Sequence, residues 1–360
     1  MTVILIFYRI FFMDIIIGLL IIAVGAFCQS SCYVPINKIK DWSWESYWIV
    51  QGVFAWLLLP LLGALLAVPG GHSLCELFVA DNSFNILMTI LFGVLWGVGG
   101  LTFGLSMRYL GVALGQSIAL GTCAGLGTIM GPVLLNIFFP QLDALSSLTF
   151  AVITGVVVTL LGIAIIGVAG SMKAASLSEE EKKAAVKDFN FPKGLAIALL
   201  AGFMSGCFNV GLEFGKDINF GDLTPDMYKT LPATLLVTFG GFLTNAVYCF
   251  YQNSKNKTWG DYANRRVWMN NVVFCALAGA LWYSQFFGLS MGKGFLKESP
   301  TLMTLSFCIL MALNVVFSNV WGIILNEWKG CSRKTIAVLI LGIIVLIVSS
   351  FLPQLMAFSA

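Results

Sequence analysis

From Leu91 to Pro132 the chain carries a single charged residue, Arg108, between two long apolar runs. Each run has about the ~20 residues that a helix needs to cross the hydrocarbon core of a bilayer. In lipid a backbone must satisfy its own hydrogen bonds, so runs of this kind are helical. Glycines fall four apart at Gly93/Gly97, Gly100/Gly104, Gly111/Gly115, Gly121/Gly125 and Gly127/Gly131. That spacing bares backbone along one helix face, which permits close approach where no hydrophobic effect drives helices together. The third and fourth apolar runs are therefore expected to clasp each other through Gly97, Gly100 and Gly104 on one side and Gly111 and Gly115 on the other. The words Phe103-Gly104-Leu105-Ser106-Met107 return as Phe287-Gly288-Leu289-Ser290-Met291, each after a Leu-Trp pair (Leu95-Trp96, Leu281-Trp282). A repeat at matching places in the two halves reads as an internal duplication.

The rest of the chain is of the same kind. Hydrophobic residues make up 59%, charged residues 10%, and the mean hydropathy is +0.92. A soluble domain of 360 residues cannot bury that much apolar surface, so the solvent is lipid. Lys and Arg number 20 against 17 Asp and Glu, a balance too even and too dispersed to indicate nucleic acid. Nine cysteines include no C-x-x-C pair, and most lie inside apolar runs, where a thiol acts as a small hydrophobe. They point to no disulfide framework, metal site or cofactor. The one histidine, His72, stands in a Pro-Gly-Gly-His turn.

Ten spans are expected, at 13–35, 45–68, 85–107, 110–138, 147–170, 193–213, 228–252, 267–289, 300–326 and 334–356. Residues 1–12 form an N-terminal extension or an overlong start, with Met13 as an alternative first residue. A first five-helix repeat (13–170) and a second (193–360) flank a charged cytoplasmic linker (171–192). The connections after spans one, three, five, seven and nine carry 15 Lys and Arg, and the remaining connections and termini carry 5. The positive-inside rule makes the first set cytoplasmic, with both termini outside. An odd number of spans in each half then inverts the second half. The expected fold is an all-α polytopic membrane protein, ten transmembrane helices as two inverted five-helix repeats, the design of alternating-access carriers.

Polar groups inside the spans are costly and few. Gln29, Ser30, Ser31, Tyr33, Gln51, Ser205 and Asn209 are among them. The candidate binding set is Gln116, Asn245, Tyr283, Gln285, Asn314 and Asn319, with Trp96 and Trp282 as stacking platforms. Neutral amides both give and accept hydrogen bonds, and sugar CH faces pack on aromatic rings, so the set suits a small neutral sugar. The competing reading is interhelical adhesion, a common role of Asn and Gln in membranes. Trp42, Trp44, Trp48, Trp268 and Trp328 are expected in the interfacial belt. Glu213, near the outer end of span six, is the candidate proton-coupling group. Glu45, Glu327 and Asp14 read as interfacial anchors. Hydrolase and metalloenzyme constellations are absent from the sequence, as are a carbonyl filter and charged rings of a channel.

Lys38-Ile39-Lys40-Asp41-Trp42-Ser43-Trp44-Glu45, Leu95-Trp96-Gly97, Met107-Arg108-Tyr109-Leu110-Gly111, Trp282-Tyr283-Ser284-Gln285-Phe286-Phe287 and Glu327-Trp328 resemble the L-rhamnose–proton symporters, a small family within the drug/metabolite transporter superfamily. The likeness runs over nearly the whole chain from Met13. It implies ten helices in two inverted halves in a bacterial cytoplasmic membrane, and uptake of L-rhamnose or a close relative with a proton. The chain departs from the family in its first twelve residues and at Gly99-Gly100, where a more polar pair is expected. Two other functions stand beside this one: a metabolite exporter of the same superfamily, and a membrane sensor or scaffold without transport.

Overall fold

The computed structural model describes residues 2–79, 83–110, 112–176, 190–326 and 328–359. Among them the regular structure is helical, with no strand. The principal helices are α1 (Thr2–Ser30), α2 (Trp44–Leu65), α3 (Ser83–Leu110), α4 (Val112–Phe138), α5 (Phe150–Ala175), α6 (Phe191–Phe214), α7 (Leu231–Asn256), α8 (Arg265–Phe295), α9 (Pro300–Ile324) and α10 (Arg333–Ser349). Nine stretches of the described residues, one in each of α1 to α9, are long and apolar enough to cross a bilayer. The protein is thus an all-α polytopic membrane protein. Helix α10 has 17 residues, about 26 Å at ~1.5 Å per residue, against a hydrocarbon core of about 30 Å. Local chemistry starts several helices. Thr149 caps α5 by accepting the Val152 N–H at 3.3 Å, and Ser332 caps α10 through Thr335 at 3.1 Å. Ser299, followed by Pro300 at the first position of α9, accepts the Leu302 N–H at 3.4 Å.

The chain forms two compact units, each drawn from both ends of the sequence. The first is Met1–Gly97 with Phe214–Glu298, and the second is Val98–Glu213 with Ser299–Ala360. In the first unit α1 runs along α8, and Gly25 leaves room for the Ser284 carbonyl. The first half of α3 crosses α7 so closely that a β-carbon at Gly93 or Gly240 would strike the Val237 or Ile90 carbonyl. Thr244 adds an O–H bond to the Val94 carbonyl at 2.9 Å.

These contacts correct the expected clasp between spans three and four. Gly97 faces Thr244 of α7, Gly99 faces Ser205 of α6, and Gly100 meets nothing within 4 Å. Small-residue spacing reports that a helix face is close to something, and only the fold says to what. Position 111 lies outside the described residues, and the structure does not describe the surroundings of Gly104 or the Gln116 side chain.

In the second unit α9 is buried on every side, with Leu302, Leu305, Phe307, Leu310 and Ala312 all inaccessible. A helix apolar all round belongs at the centre of its unit. Helix α6 meets α4 where Gly206 faces Gly127, and Asn209 Nδ2 donates to the Gly127 carbonyl at 2.8 Å. Helix α5 meets α10 at Gly162 and Gly342, where the Thr159 hydroxyl donates to Ser349 Oγ at 3.0 Å.

Candidate functional site

The site in the first unit begins with a proline. Pro60 has no N–H, so it cannot donate back along α2. Just before it, Val53–Leu58 is wound as a π-helix, and the Leu59 N–H bonds the Phe54 carbonyl five residues back. The Ala55 carbonyl thereby loses its donor in both α- and π-registers: Leu59 is engaged and Pro60 has nothing to give. Segments of π-helix are rare and recur at functional sites. The wide turn lays the indole of Trp56 over Gly52, where any β-carbon would collide with the ring. Gly279 of α8 lets that helix approach the backbone at Gln51 and Ala55. Three residues further on, α8 presents Trp282.

Three indoles meet here. Trp56 stands at 90° to Trp96 and 84° to Trp282, with centroids 6.0 Å away in each case. Trp96 and Trp282 are 5.7 Å apart, and Phe286 continues the group 5.3 Å from Trp282. Trp48 reaches Trp56 at 5.6 Å and stacks on Trp44 at 5.4 Å. Trp96 and Trp282 are therefore in direct ring contact.

Around these rings, buried polar atoms stand without a hydrogen-bond partner among the described residues: Gln51 Oε1, Trp56 Nε1 and Tyr283 Oη. Their residues are 2%, 3% and 6% exposed. Each such group costs about 1–3 kcal/mol when left unsatisfied. Gly63 lacks a side chain where the Tyr283 hydroxyl sits against α2. The three are one acceptor, one donor and one hydroxyl that does both, spread along α2 and the facing stretch of α8.

The other expected residues are placed as follows. Asn245 is committed within the protein: its Oδ1 accepts the Trp48 indole N–H at 2.9 Å and its Nδ2 donates to Gly241 at 2.8 Å. Trp48 is partly buried and packs against Ile49, Ala246 and Cys249. Gln285 is buried on α8 and donates to the Trp282 carbonyl at 3.2 Å. Asn314 and Asn319 lie on α9 in the second unit, where Asn319 donates to the Val315 carbonyl at 2.8 Å. Glu213, also in the second unit, lies half-buried against Gly131 and makes no ion pair with a described residue. Gln51 had been read only as one polar group among several, and Trp56 was not singled out. The signal for both was Pro60 within an apolar run.

Glu45, read as an interfacial anchor, is buried instead. It accepts from Asn256 Nδ2 at 3.0 Å and the Thr258 hydroxyl at 2.8 Å, tying the start of α2 to the end of α7. Beside it Asp261 accepts from the Ser43 N–H at 2.8 Å and the Ser43 hydroxyl at 2.7 Å. Burial works against the Asp261 carboxylate, but the bonds from Ser43 outweigh it and hold its pKa below the ordinary aspartate range. Among the described residues no group of His, Cys, Asp and Glu is arranged to hold a metal.

Residues 12–357 match the family described as L-rhamnose-proton symport protein (RhaT). The chain is similar to an L-rhamnose-proton symporter of Yersinia pestis (strain Pestoides F), 31% identical over 345 residues, 93% of this chain and 96% of the relative. A second, from Cronobacter sakazakii (strain ATCC BAA-894), is 32% identical over 345 residues, 92% of this chain and 95% of the relative.

Proposed function

Because this chain belongs to the L-rhamnose-proton symport protein family, we propose that it imports L-rhamnose, or a close relative, together with a proton. The observation that carries this reading is the family match across nearly the whole chain. The family is one of transporters, so the chain is a secondary active carrier and not an enzyme. The membrane is the bacterial cytoplasmic membrane, with both termini outside, a topology supported by the 15-to-5 split of basic residues.

Ten spans are reached by counting α10 with the nine longer helices. The inverted relation of the two sequence halves is supported by the repeated pentapeptide. It is supported too by glycine contacts of one kind in each unit, Gly25 of α1 on α8 and Gly99 of α3 on α6. Under alternating access the sugar is bound from outside and released inside as the protein changes conformation. Indole faces of Trp96 and Trp282 pack on the sugar's CH groups, and neutral amides such as Gln285 pair with its hydroxyls. Glu213 is the proposed proton carrier: it is half-buried, unpaired among the described residues, and near the outer end of its span.

The test is uptake of labelled L-rhamnose by right-side-out membrane vesicles. An imposed pH gradient, acid outside, should drive accumulation above the external concentration, and a protonophore should abolish it. Uptake that only equilibrates, or that needs no gradient, would sink the symport reading.

A further inference from the structure

Apart from the transported sugar, one end of the first unit is built to meet the bilayer. We propose that Lys38, Lys40, Arg265 and Arg266 form a docking surface for the phosphate headgroup of an anionic phospholipid.

The fold brings these cations together. The link between α1 and α2 is stapled to the second turn of α8 by two side-chain amides more than two hundred positions away. Asn270 Nδ2 donates to the Lys38 carbonyl at 3.1 Å. Asn271 accepts the Lys40 N–H at 3.0 Å and donates to the Lys40 carbonyl at 2.7 Å. Arg266 stands one turn before Asn270 on the same helix face, with Arg265 beside it. All four basic residues are exposed. Side chains of this length lay their stems on apolar surface and keep the charge at the headgroups.

Their charge is not spent within the protein. In the same unit Lys229 and Lys297 both reach Asp226, at 2.6 and 3.0 Å, and Lys255 lies over the Tyr251 ring at 6.0 Å. The four cations make no ion pair or ring contact with a described residue. The nearby acids are engaged by neutral donors, Glu45 by Asn256 and Thr258, and Asp261 by Ser43. Asp41 is the remaining acid within 37–44 and 259–271. The amino end of α8 adds the positive end of its dipole.

Aromatic neighbours identify the occupant as a lipid. Trp44 at the start of α2 and Trp268 in the first turn of α8 are 40% and 43% exposed. Indoles exposed at the ends of membrane helices mark headgroup depth. A basic cluster at that depth faces lipid phosphates, and such clusters recognise anionic headgroups.

The test uses the purified full chain in uncharged detergent, melted with added phosphatidylglycerol, phosphatidylcholine or inorganic phosphate. Phosphatidylglycerol should raise the melting temperature saturably, and the other two should not. About 1 M salt should shrink the rise. Lys38→Gln with Lys40→Gln, and Arg265→Gln with Arg266→Gln, should each weaken the lipid about 25-fold, roughly fivefold per cation. The amide staples use backbone atoms of Lys38 and Lys40, so the first pair leaves them in place. Lys255→Gln with Lys257→Gln removes equal charge and should cost less than about threefold. Equal losses in all three pairs would reduce the effect to diffuse attraction and end the proposal. No rise with phosphatidylglycerol, or an equal one with phosphatidylcholine, would end it too. An equal rise with inorganic phosphate would assign the surface to a soluble anion and overturn the lipid. No sugar enters the measurement, so its failure leaves the transport reading standing.

Discussion

Trp48 donates its indole N–H to Asn245 Oδ1 at 2.9 Å, joining α2 to α7 through two residues that composition alone would place in a lipid belt and a sugar site. With its Nδ2 on the Gly241 carbonyl as well, the Asn245 amide is spent on holding Trp48 against Trp56. Asn245→Ala should strand a buried indole N–H and lower stability by about 1–3 kcal/mol. The expected result is a lower melting temperature with sugar affinity changed by less than about twofold. A loss of affinity at unchanged melting temperature would return Asn245 to the binding set.

Backbone contact between Gly93 and Gly240 leaves no room for a side chain on either helix. Gly240→Val should reduce folded protein at least tenfold, as overpacking of a well-fitted contact costs about 1–3 kcal/mol or more. Leu87, which is 60% exposed, should accept alanine without loss. Fluorescence-detected size-exclusion profiles of the two variants would show the difference, and equal profiles would argue against close packing.

Asp261 gives stability a pH dependence of known sign. Its carboxylate is held below the ordinary pKa of 3.8 in the folded protein, so the unfolded chain binds its proton first. The stabilisation is present above that value and is lost as the pH falls through the depressed folded pKa. Melting temperatures of wild type and Asp261→Asn should differ at about pH 6 and converge only as the pH falls below 3.8 and through the depressed folded pKa. A gap that persists unchanged to low pH would mean that the carboxylate charge is not what Ser43 stabilises.

Proton coupling can be separated from sugar binding at Glu213. Glu213→Gln should abolish pH-driven accumulation while exchange of L-rhamnose between equal concentrations continues at a rate within a few-fold of wild type. Accumulation that survives the change would move the proton to another group.

Topology is open to a direct check. A C-terminal reporter that is active only in the periplasm should be active, and one active only in the cytoplasm should be silent. The reverse pattern would invert the assignment of every helix end.

The helical, membrane-spanning class could be read directly from the chain, because the bilayer imposes length and polarity on each segment independently of its neighbours. Nine of the ten expected spans have a long apolar helix at their place for the same reason, though α8 runs to Phe295 rather than 289 and α10 stops at Ser349 rather than 356; the family followed too, because its motifs are contiguous in sequence. Partners were another matter. The glycines of α3 announced close packing, yet Gly97 found Thr244 and Gly99 found Ser205, since spacing encodes a smooth face and not the identity of what lies on it. That Trp48 and Asn245 are hydrogen-bonded to each other was likewise not legible, since they stand 197 positions apart.

What the sequence determined by itself is therefore whatever a segment settles against lipid: helix, length, depth and sign of the flanking charge. What only the tertiary structure decided is which polar atoms are left over. Gln51 Oε1, Trp56 Nε1 and Tyr283 Oη are left without partners among the described residues, and that depends on how α2 and α8, more than two hundred positions apart, pack. Even there a local cause is visible, for Pro60 withholds one N–H and the turn before it opens. The consequence, an indole set edge-on to two others, needed α3 and α8 to arrive.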